Sequence, residues 1–213
     1  MSTEIKICGL STSSSVDVAV RAGADLVGFV FFPRSPRFVT NATARELASQ
    51  IAGDVVRTGL IVDASNTEIA EILDQVPLDL LQLHGKETPA RAAEIRSLFN
   101  LPVMKALPVA EAADLTVADD YRDVVDRFLF DAKPPKSADR PGGNAVTFDW
   151  TLMQDIQIDT PWLLAGGLTL DNVAEALKIS GARGVDLSSG VESAPGVKDE
   201  GLIRSFIHAV RSV

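Results

Sequence analysis

The chain has a single thiol, Cys8, two residues after Lys6 in Ile5-Lys-Ile-Cys-Gly9. Period-2 alternation puts Lys6 and Cys8 on one face of a strand and Ile5 and Ile7 on the other. The apolar pair belongs against helices, so Lys6 and Cys8 point inward. A buried ammonium lowers the pKa of a neighbouring thiol and makes thiolate more available. A lone cysteine also serves as a small buried hydrophobe, and position alone favours that plainer reading. Asp131 closes the apolar run Phe128-Leu-Phe. A carboxyl held against Phe and Leu keeps its proton more tightly than in water and can act as an acid near neutrality. The alternatives are an ion pair with Lys133 or Lys6, or a cap of the following loop. Asp63 and His84 end other apolar runs; they orient other groups or, as favoured here, are structural.

Three further stretches offer ligand contacts. In Phe32-Pro-Arg34-Ser-Pro-Arg37, prolines on both sides stiffen the loop. A guanidinium fixed there is a clamp for a carboxylate; one of the two arginines is read as a solvated charge. Leu164-Ala-Gly166-Gly167-Leu168 stands just before a helix, and Asp186-Leu-Ser188-Ser189-Gly190 follows later. Glycines let a phosphate approach backbone N–H groups, and a helix N-terminus adds positive potential. Plain turn glycines are the alternative.

These residues sit at the ends of short β-rich apolar runs at 5–8, 26–32, 56–63, 80–84, 103–107, 127–133, 162–166 and 184–188. Their starts are spaced by 21, 30, 24, 23, 24, 35 and 22 residues. One strand–helix unit with two short loops takes about 25 residues, so eight units take about 200. The stretches between the runs read as helices. Residues 41–51 carry Thr43 and Glu46 at capping-box spacing. Residues 66–75 place Ile69, Ala70, Ile72 and Leu73 on a helical period. Pro89 suits the first turn of a helix over 89–99. Thr169, followed by Asp171, is the cap candidate of the seventh helix. Runs apolar on both faces suit a parallel sheet covered by helices. An open doubly wound sheet also accommodates eight strands, but no G-x-G-x-x-G follows the first. The expected fold is therefore α/β, a single-domain (β/α)8 TIM barrel over residues 1–213, with its site at the C-terminal ends of the strands. No linker marks a second domain. The longest irregular stretch, 134–148, reads as a lid.

Composition narrows the function. Apolar residues make up 46% of 213, enough for a large core. One cysteine allows no intrachain disulfide, and with only His84 and His208 beside it a Cys/His zinc cluster is excluded. Twenty Lys and Arg against 29 Asp and Glu give a net charge of −9, a poor basis for binding nucleic-acid phosphate. An anionic ligand then needs a local cradle, which the glycine-bearing loops provide. No apolar run reaches the ~18 residues of a membrane span, and the N-terminal stretch lacks the layout of a signal peptide. The expectation is a cytoplasmic protein with no membrane or nucleic-acid partner. No helix pattern is unusually apolar, so a monomer is expected.

Taken together, the segments resemble the phosphoribosylanthranilate isomerases of tryptophan biosynthesis. The resemblance is carried by Lys6-Ile-Cys-Gly9, Gly23-Ala-Asp-Leu-Val-Gly-Phe-Val-Phe31, Ser35-Pro-Arg-Phe-Val39, Leu81-Gln-Leu-His-Gly85, Phe130-Asp-Ala-Lys133 and Gly142-Gly143 before Thr147-Phe-Asp-Trp150. It continues through Leu164-Ala-Gly-Gly-Leu168, Val185-Asp-Leu-Ser-Ser-Gly-Val-Glu192 and Pro195-Gly-Val-Lys-Asp199. It implies a cofactor-free Amadori rearrangement of N-(5-phosphoribosyl)anthranilate to 1-(2-carboxyphenylamino)-1-deoxyribulose 5-phosphate. It also implies Cys8 as general base, Asp131 as general acid and Arg37 on the anthranilate carboxylate. The phosphate falls to Gly166, Gly167, Ser188, Ser189 and Gly190. The family often has a glycine, and a basic residue or glutamine, where Ala145 and Val146 stand, so the lid contacts are not carried over.

Two other readings keep the phosphate loops: another phosphate-binding barrel enzyme, such as a sugar-phosphate isomerase, epimerase or synthase, and a non-catalytic anion-binding barrel. A metal-dependent epimerase needs several His and acidic ligands at strand ends, where this chain offers only His84. An isomerase using an aspartate pair, as in histidine biosynthesis, needs an acid where Cys8 stands. A non-catalytic anion-binding barrel does not need both Cys8 and Asp131.

Overall fold

Parallel strands cannot be joined by hairpins, so each apolar run must be followed by a crossover long enough to return the chain. A computed structural model describes residues 2–133, 142, 147–154 and 156–213. It contains eight parallel strands: β1 (Glu4–Cys8), β2 (Leu26–Val30), β3 (Val56–Ile61), β4 (Leu80–Leu83), β5 (Val103–Val109), β6 (Arg127–Ala132), β7 (Trp162–Leu164) and β8 (Gly184–Leu187). They pair in chain order, and β1 closes the ring on β8. The fold is the expected (β/α)8 barrel.

The helices are α1 (Ser13–Ala22), α2 (Asn41–Ser49), α3 (Asn66–Gln75), α4 (Pro89–Phe99), α5 (Ala112–Leu115), α6 (Val173–Ser180) and α7 (Glu200–Arg211). Two caps differ from the sequence expectation. Thr40, extended at φ −70°, caps α2 by accepting from Thr43 N–H, so Thr43 lies inside the helix. Helix α6 starts only at Val173; the Asn172 side chain accepts from Thr169 N–H at 2.8 Å, which holds residues 169–172 as a turn. The regular alternation also lapses after β5 and β6. Helix α5 is one turn that runs into a 3-10 turn at Thr116–Asp120. Aspartates at 114, 119 and 120 compete with the backbone for hydrogen bonds there. After β6 the described residues form a single 3-10 turn, Trp150–Met153. The expected lid over 134–148 lies outside the described residues except for Gly142, Thr147 and Phe148.

The core has two parts. Outward side chains of the strands, Ile5, Ile7, Phe29, Leu81, Phe128 and Phe130 among them, pack with the helices. Each such Ile, Leu or Phe contributes roughly 1.5–3 kcal/mol when fully buried. Inward side chains fill the barrel. Leu26, Leu80, Met104, Leu129 and Leu163 plug its N-terminal half. Towards the C-terminal rim the filling turns polar: Lys6, Thr58, Gln82 and Asp186 are all buried. The apolar floor thus supports a polar layer beneath the expected site.

Candidate active site

The rim surrounds an open cleft of about 810 Å³, counted together with the solvent space at its mouth. Of the eight residues singled out from the sequence, seven line it: Cys8, Arg37, Asp131, Gly166, Gly167, Ser188 and Ser189. Gly190 does not. It stands where a Cβ would collide with the Leu168 carbonyl, so its glycine lets the loops after β7 and β8 pack together.

Lys6 and Cys8 face inward, as alternation requires. Lys6 is fully buried and donates to Asp186 Oδ1 at 2.8 Å, across the β1–β8 pairing that places the two residues in register. Its ammonium is also close enough to the Cys8 thiol for the two groups to influence each other's charge. Space for both comes from Gly28 on β2, where a Cβ would stand 2.8 Å from Cys8 Sγ and 3.3 Å from Lys6 Nζ. The expected lowering of the thiol pKa is not what the site produces. Burial pushes Cys8 above the ordinary thiol value; Lys6 and Lys198 pull it down, Asp186 adds to the rise, and the net direction is up. Any thiolate formed here is scarce but strongly basic. Burial also disfavours the Lys6 charge, yet Asp186 and Cys8 outweigh it and the ammonium holds its proton more tightly than usual.

Three charged residues brace the loop after β8. Glu192 accepts from Arg37 Nε at 2.6 Å and Nη2 at 2.9 Å, and from Lys198 Nζ at 2.8 Å. Lys198 also donates to the Ser188 carbonyl at 2.8 Å and hydroxyl at 3.0 Å. Ser188 Oγ in turn donates to the Cys8 carbonyl at 2.9 Å. The Nε–Nη2 fork of Arg37 is thereby engaged by Glu192 and not turned to the cavity's contents. Burial, offset in part by Glu192, brings Lys198 down to about 8. Glu192 lies below the usual carboxylate range: burial opposes ionisation, but Arg37 and Lys198 prevail. Glu192 and Lys198 drew no role from the sequence reading. Both lie in the segments that carry the family resemblance, but only the fold brings Glu192 to Arg37, 155 residues away.

On the far side, Asp131 forms neither of the ion pairs considered for it. Lys133 pairs with Asp114 and Lys6 with Asp186. Asp131 Oδ1 accepts from Ala132 N–H at 2.9 Å, and Oδ2 lies 3.4 Å from His84 Nε2. The following backbone is thus capped while the carboxyl still lines the cavity. Asp63 takes the structural role favoured for it. In a left-handed conformation at φ 49°, it accepts from Lys86 N–H at 2.6 Å and shapes the loop that follows His84.

The loops after β7 and β8 form the opposite rim. Gly166 and Gly167 have φ of 87° and 60°, a left-handed pair that turns backbone N–H groups into a concave nest. A Cβ on Gly166 would stand 2.6 Å from Ala132 N, so the close approach to β6 also needs glycine. Asn172 Nδ2 donates to the Gly167 carbonyl at 3.0 Å and fixes the nest ahead of α6. Among the described residues, no group of three or more His, Cys, Asp or Glu side chains is gathered to hold a metal ion.

Comparison with known proteins bears on this geometry. The family model for N-(5′-phosphoribosyl)anthranilate isomerase matches residues 5–209. The chain belongs to this family. An isomerase of that name from Rhodopseudomonas palustris strain BisA53 is 57% identical over 212 residues, covering 100% of this chain and 97% of the relative. One from Paramagnetospirillum magneticum is 56% identical over 211 residues, with 99% and 98% covered. The crystal structure of the Thermotoga maritima phosphoribosyl anthranilate isomerase superposes with a TM-score of 0.88 at 33% identity, covering 99% of this chain and 100% of that one. A further isomerase structure, with TM-score 0.85 and 31% identity over 99% and 100% of the two chains, holds reduced 1-(o-carboxyphenylamino)-1-deoxyribulose 5-phosphate. The chain is thus an isomerase of tryptophan biosynthesis. Among its described residues no helix is long and apolar enough to cross a membrane.

Proposed function

We propose that Cys8 is the general base and Asp131 the general acid of the rearrangement, acting on a substrate stretched between Arg37 and the glycine nest. Asp131 protonates the ribose ring oxygen. The C1–O bond breaks as the anilino nitrogen lone pair forms a C1=N iminium. Cys8 thiolate then removes the C2 proton, and the C2–H electron pair becomes the C1=C2 bond of an enolamine. Tautomerisation moves a proton to C1 and leaves the C2 ketone. The carrying observation is that Cys8 on β1 and Asp131 on β6, strands separated around the ring by β7 and β8, line one cavity. Two groups so placed can serve one pentose from two sides. The anthranilate carboxylate falls to Arg37. The phosphate falls to Gly166, Gly167, Ser188 and Ser189, with Gly190 holding the two loops together. Fixing both ends of the substrate leaves the sugar little freedom between acid and base. Lys6 and Lys198 support the charge that Cys8 acquires.

Cys8→Ala and Asp131→Asn each lower turnover by about 10²-fold or more, the scale of a general acid–base group, with circular dichroism unchanged. Loss of substrate fluorescence reports the rate, and normal turnover in either variant rejects that residue's role.

We further propose that residues 1–213 act as one domain, a cytoplasmic monomer without metal or cofactor. The large exposed apolar side chains among the described residues, Phe38, Leu98, Val117, Leu170, Val197 and Val213, come from different segments of the chain. The Thermotoga maritima relative, 32% identical, is described as dimeric with monomers generated from it. A sedimentation mass of two chains rejects the monomer, and loss of activity on dialysis against a chelator rejects metal independence.

A further inference from the structure

The rearrangement leaves Asp131 as a carboxylate after its proton reaches the ring oxygen. Its Oδ1 already accepts from Ala132 N–H, and Oδ2 faces His84 Nε2 at 3.4 Å. A carboxylate only accepts, so the imidazole must present a hydrogen at Nε2. A neutral imidazole carries one N–H, and Nδ1 is then a bare lone pair that needs a donor. Gln82 supplies it: the fully buried amide nitrogen lies 2.8 Å from His84 Nδ1. With the amide turned over, Oε1 would face Nδ1 and favour a hydrogen there, removing the donor that Asp131 needs. The two contacts therefore select each other. The surroundings reinforce the pairing. A side chain at Gly142 would collide with His84 Nε2 and stand 2.9 Å from Asp131 Oδ2, so only glycine lets that backbone lie against the contact. Beneath, the loop after His84 is pinned by Glu87, which accepts from the N–H groups of Asp63 and Gly85.

We propose that His84 is a positioning residue for the acid, held by Gln82 in its Nε2–H form. This rests on the assignment of Asp131 as general acid. His84 orients the carboxyl before transfer and donates to the carboxylate afterwards. It gives up no proton: the transferred hydrogen comes from Asp131 alone. The 3.4 Å contact is long for a hydrogen bond, and such contacts commonly tighten when substrate binds. The sequence held the signal, since alternation in Gln82-Leu-His84 puts both polar side chains on one face.

The test has a spectroscopic and a kinetic arm. The protein has two histidines, so 15N-histidine labelling gives two imidazole patterns, separated with His208→Gln. His208 lies on α7 and lines no part of the cavity. The expected His84 pattern is a protonated Nε2 and a bare Nδ1, with that selection lost in Gln82→Leu. A proton on Nδ1 alone in the unsubstituted protein overturns the proposal without any variant of the site. In the kinetic arm, His84→Ala lowers kcat by about 10-fold or more, as expected for a donor to developing charge, with KM within about 3-fold. His84→Gln, which keeps an N–H at similar reach, recovers most of the loss. Unchanged kcat in His84→Ala, or no recovery in His84→Gln, overturns it. Asp131→Asn/His84→Ala is expected to be no slower than Asp131→Asn, because His84 acts through Asp131; a slower double variant overturns the link. If Asp131→Asn keeps normal turnover, the acid assignment fails. If it is impaired and His84→Ala is not, only this inference fails.

Discussion

Among the buried lysine–carboxylate pairs of this barrel, Lys105–Glu87 and Lys6–Asp186 do different work. Lys105 lies on the outer side of β5 with 3% of its side chain exposed, and its partner Glu87 with 1%. Its ammonium donates to the carbonyls of Leu83 and Gly85 and to Glu87 Oε2, at 3.3, 2.8 and 2.8 Å. All three of its hydrogens are engaged, and Glu87 accepts from two backbone N–H groups besides. Tyr121 hydroxyl donates to the Glu87 carbonyl at 2.8 Å. Lys6, inside the barrel and fully buried, has Asp186 as its one carboxylate partner and otherwise faces the Cys8 thiol. A saturated pair is a frame: it ties together the loops after β3 and β4. An unsaturated pair at the mouth of a cavity keeps hydrogen-bonding capacity for a charge that appears during the reaction.

The largest effect should come from breaking the frame. Lys105→Met leaves Glu87 charged and unpaired and costs about 3–5 kcal/mol of stability, read from denaturant unfolding. Turnover per folded molecule stays within about 2-fold, since Lys105 lines no part of the cavity. A large kinetic loss at full folding would erase the distinction between the pairs. Breaking the second pair in an apolar-for-ionic swap, Lys6→Met/Asp186→Leu, avoids a stranded charge and keeps the fold. Turnover nevertheless falls by about 10²-fold, because the thiolate loses its adjacent cation. Near-normal turnover would reduce Lys6 to packing.

A smaller effect is expected at the rim. Arg37→Ala raises KM by about 10-fold or more, the scale of a hydrogen bond to a charged group, with kcat less affected. An unchanged KM and rate would remove the clamp. The smallest effect concerns pH. The Cys8 pKa is raised, so the thiolate fraction at neutrality is below that of a free thiol and increases with pH. Iodoacetamide inactivation should therefore accelerate with pH past the ordinary thiol value without levelling off. Above about 8, Lys198 loses its proton and with it one cation that favours the thiolate, so the curve climbs less steeply there. A plateau below pH 8 would mean that Lys6 outweighs burial after all.

Much of this was legible in the residues. Eight apolar runs at near-regular spacing specify a ring of strands, and their ends specify the rim; each observed strand falls within its expected run or within two residues of it. Alternation turned Lys6 and Cys8 inward. The sign of the Cys8 shift was not legible, because it is a balance between burial and three charges that meet only in the folded barrel. The braced Arg37–Glu192–Lys198 group was hidden for a related reason: Arg37 and Glu192 are 155 residues apart. Gln82 was overlooked because a lone amide carries no chemistry until its neighbours are known. That α5 is a single turn was not legible either: the stretch between β5 and β6 reads as a helix like the others, and its aspartates end it early.

The ring closes on the pairing of β1 with β8, and Lys6 and Asp186 are 180 residues apart. A ribosome makes the thiol and its neighbouring ammonium long before the balancing carboxylate. Until Asp186 emerges, burying Lys6 would strand an ammonium in an apolar tube, so water must keep the cylinder unzipped. The enclosure around the thiol is complete only when β8 docks on β1. A nascent chain short of that point holds the reactive groups but lacks the enclosure that makes them an enzyme.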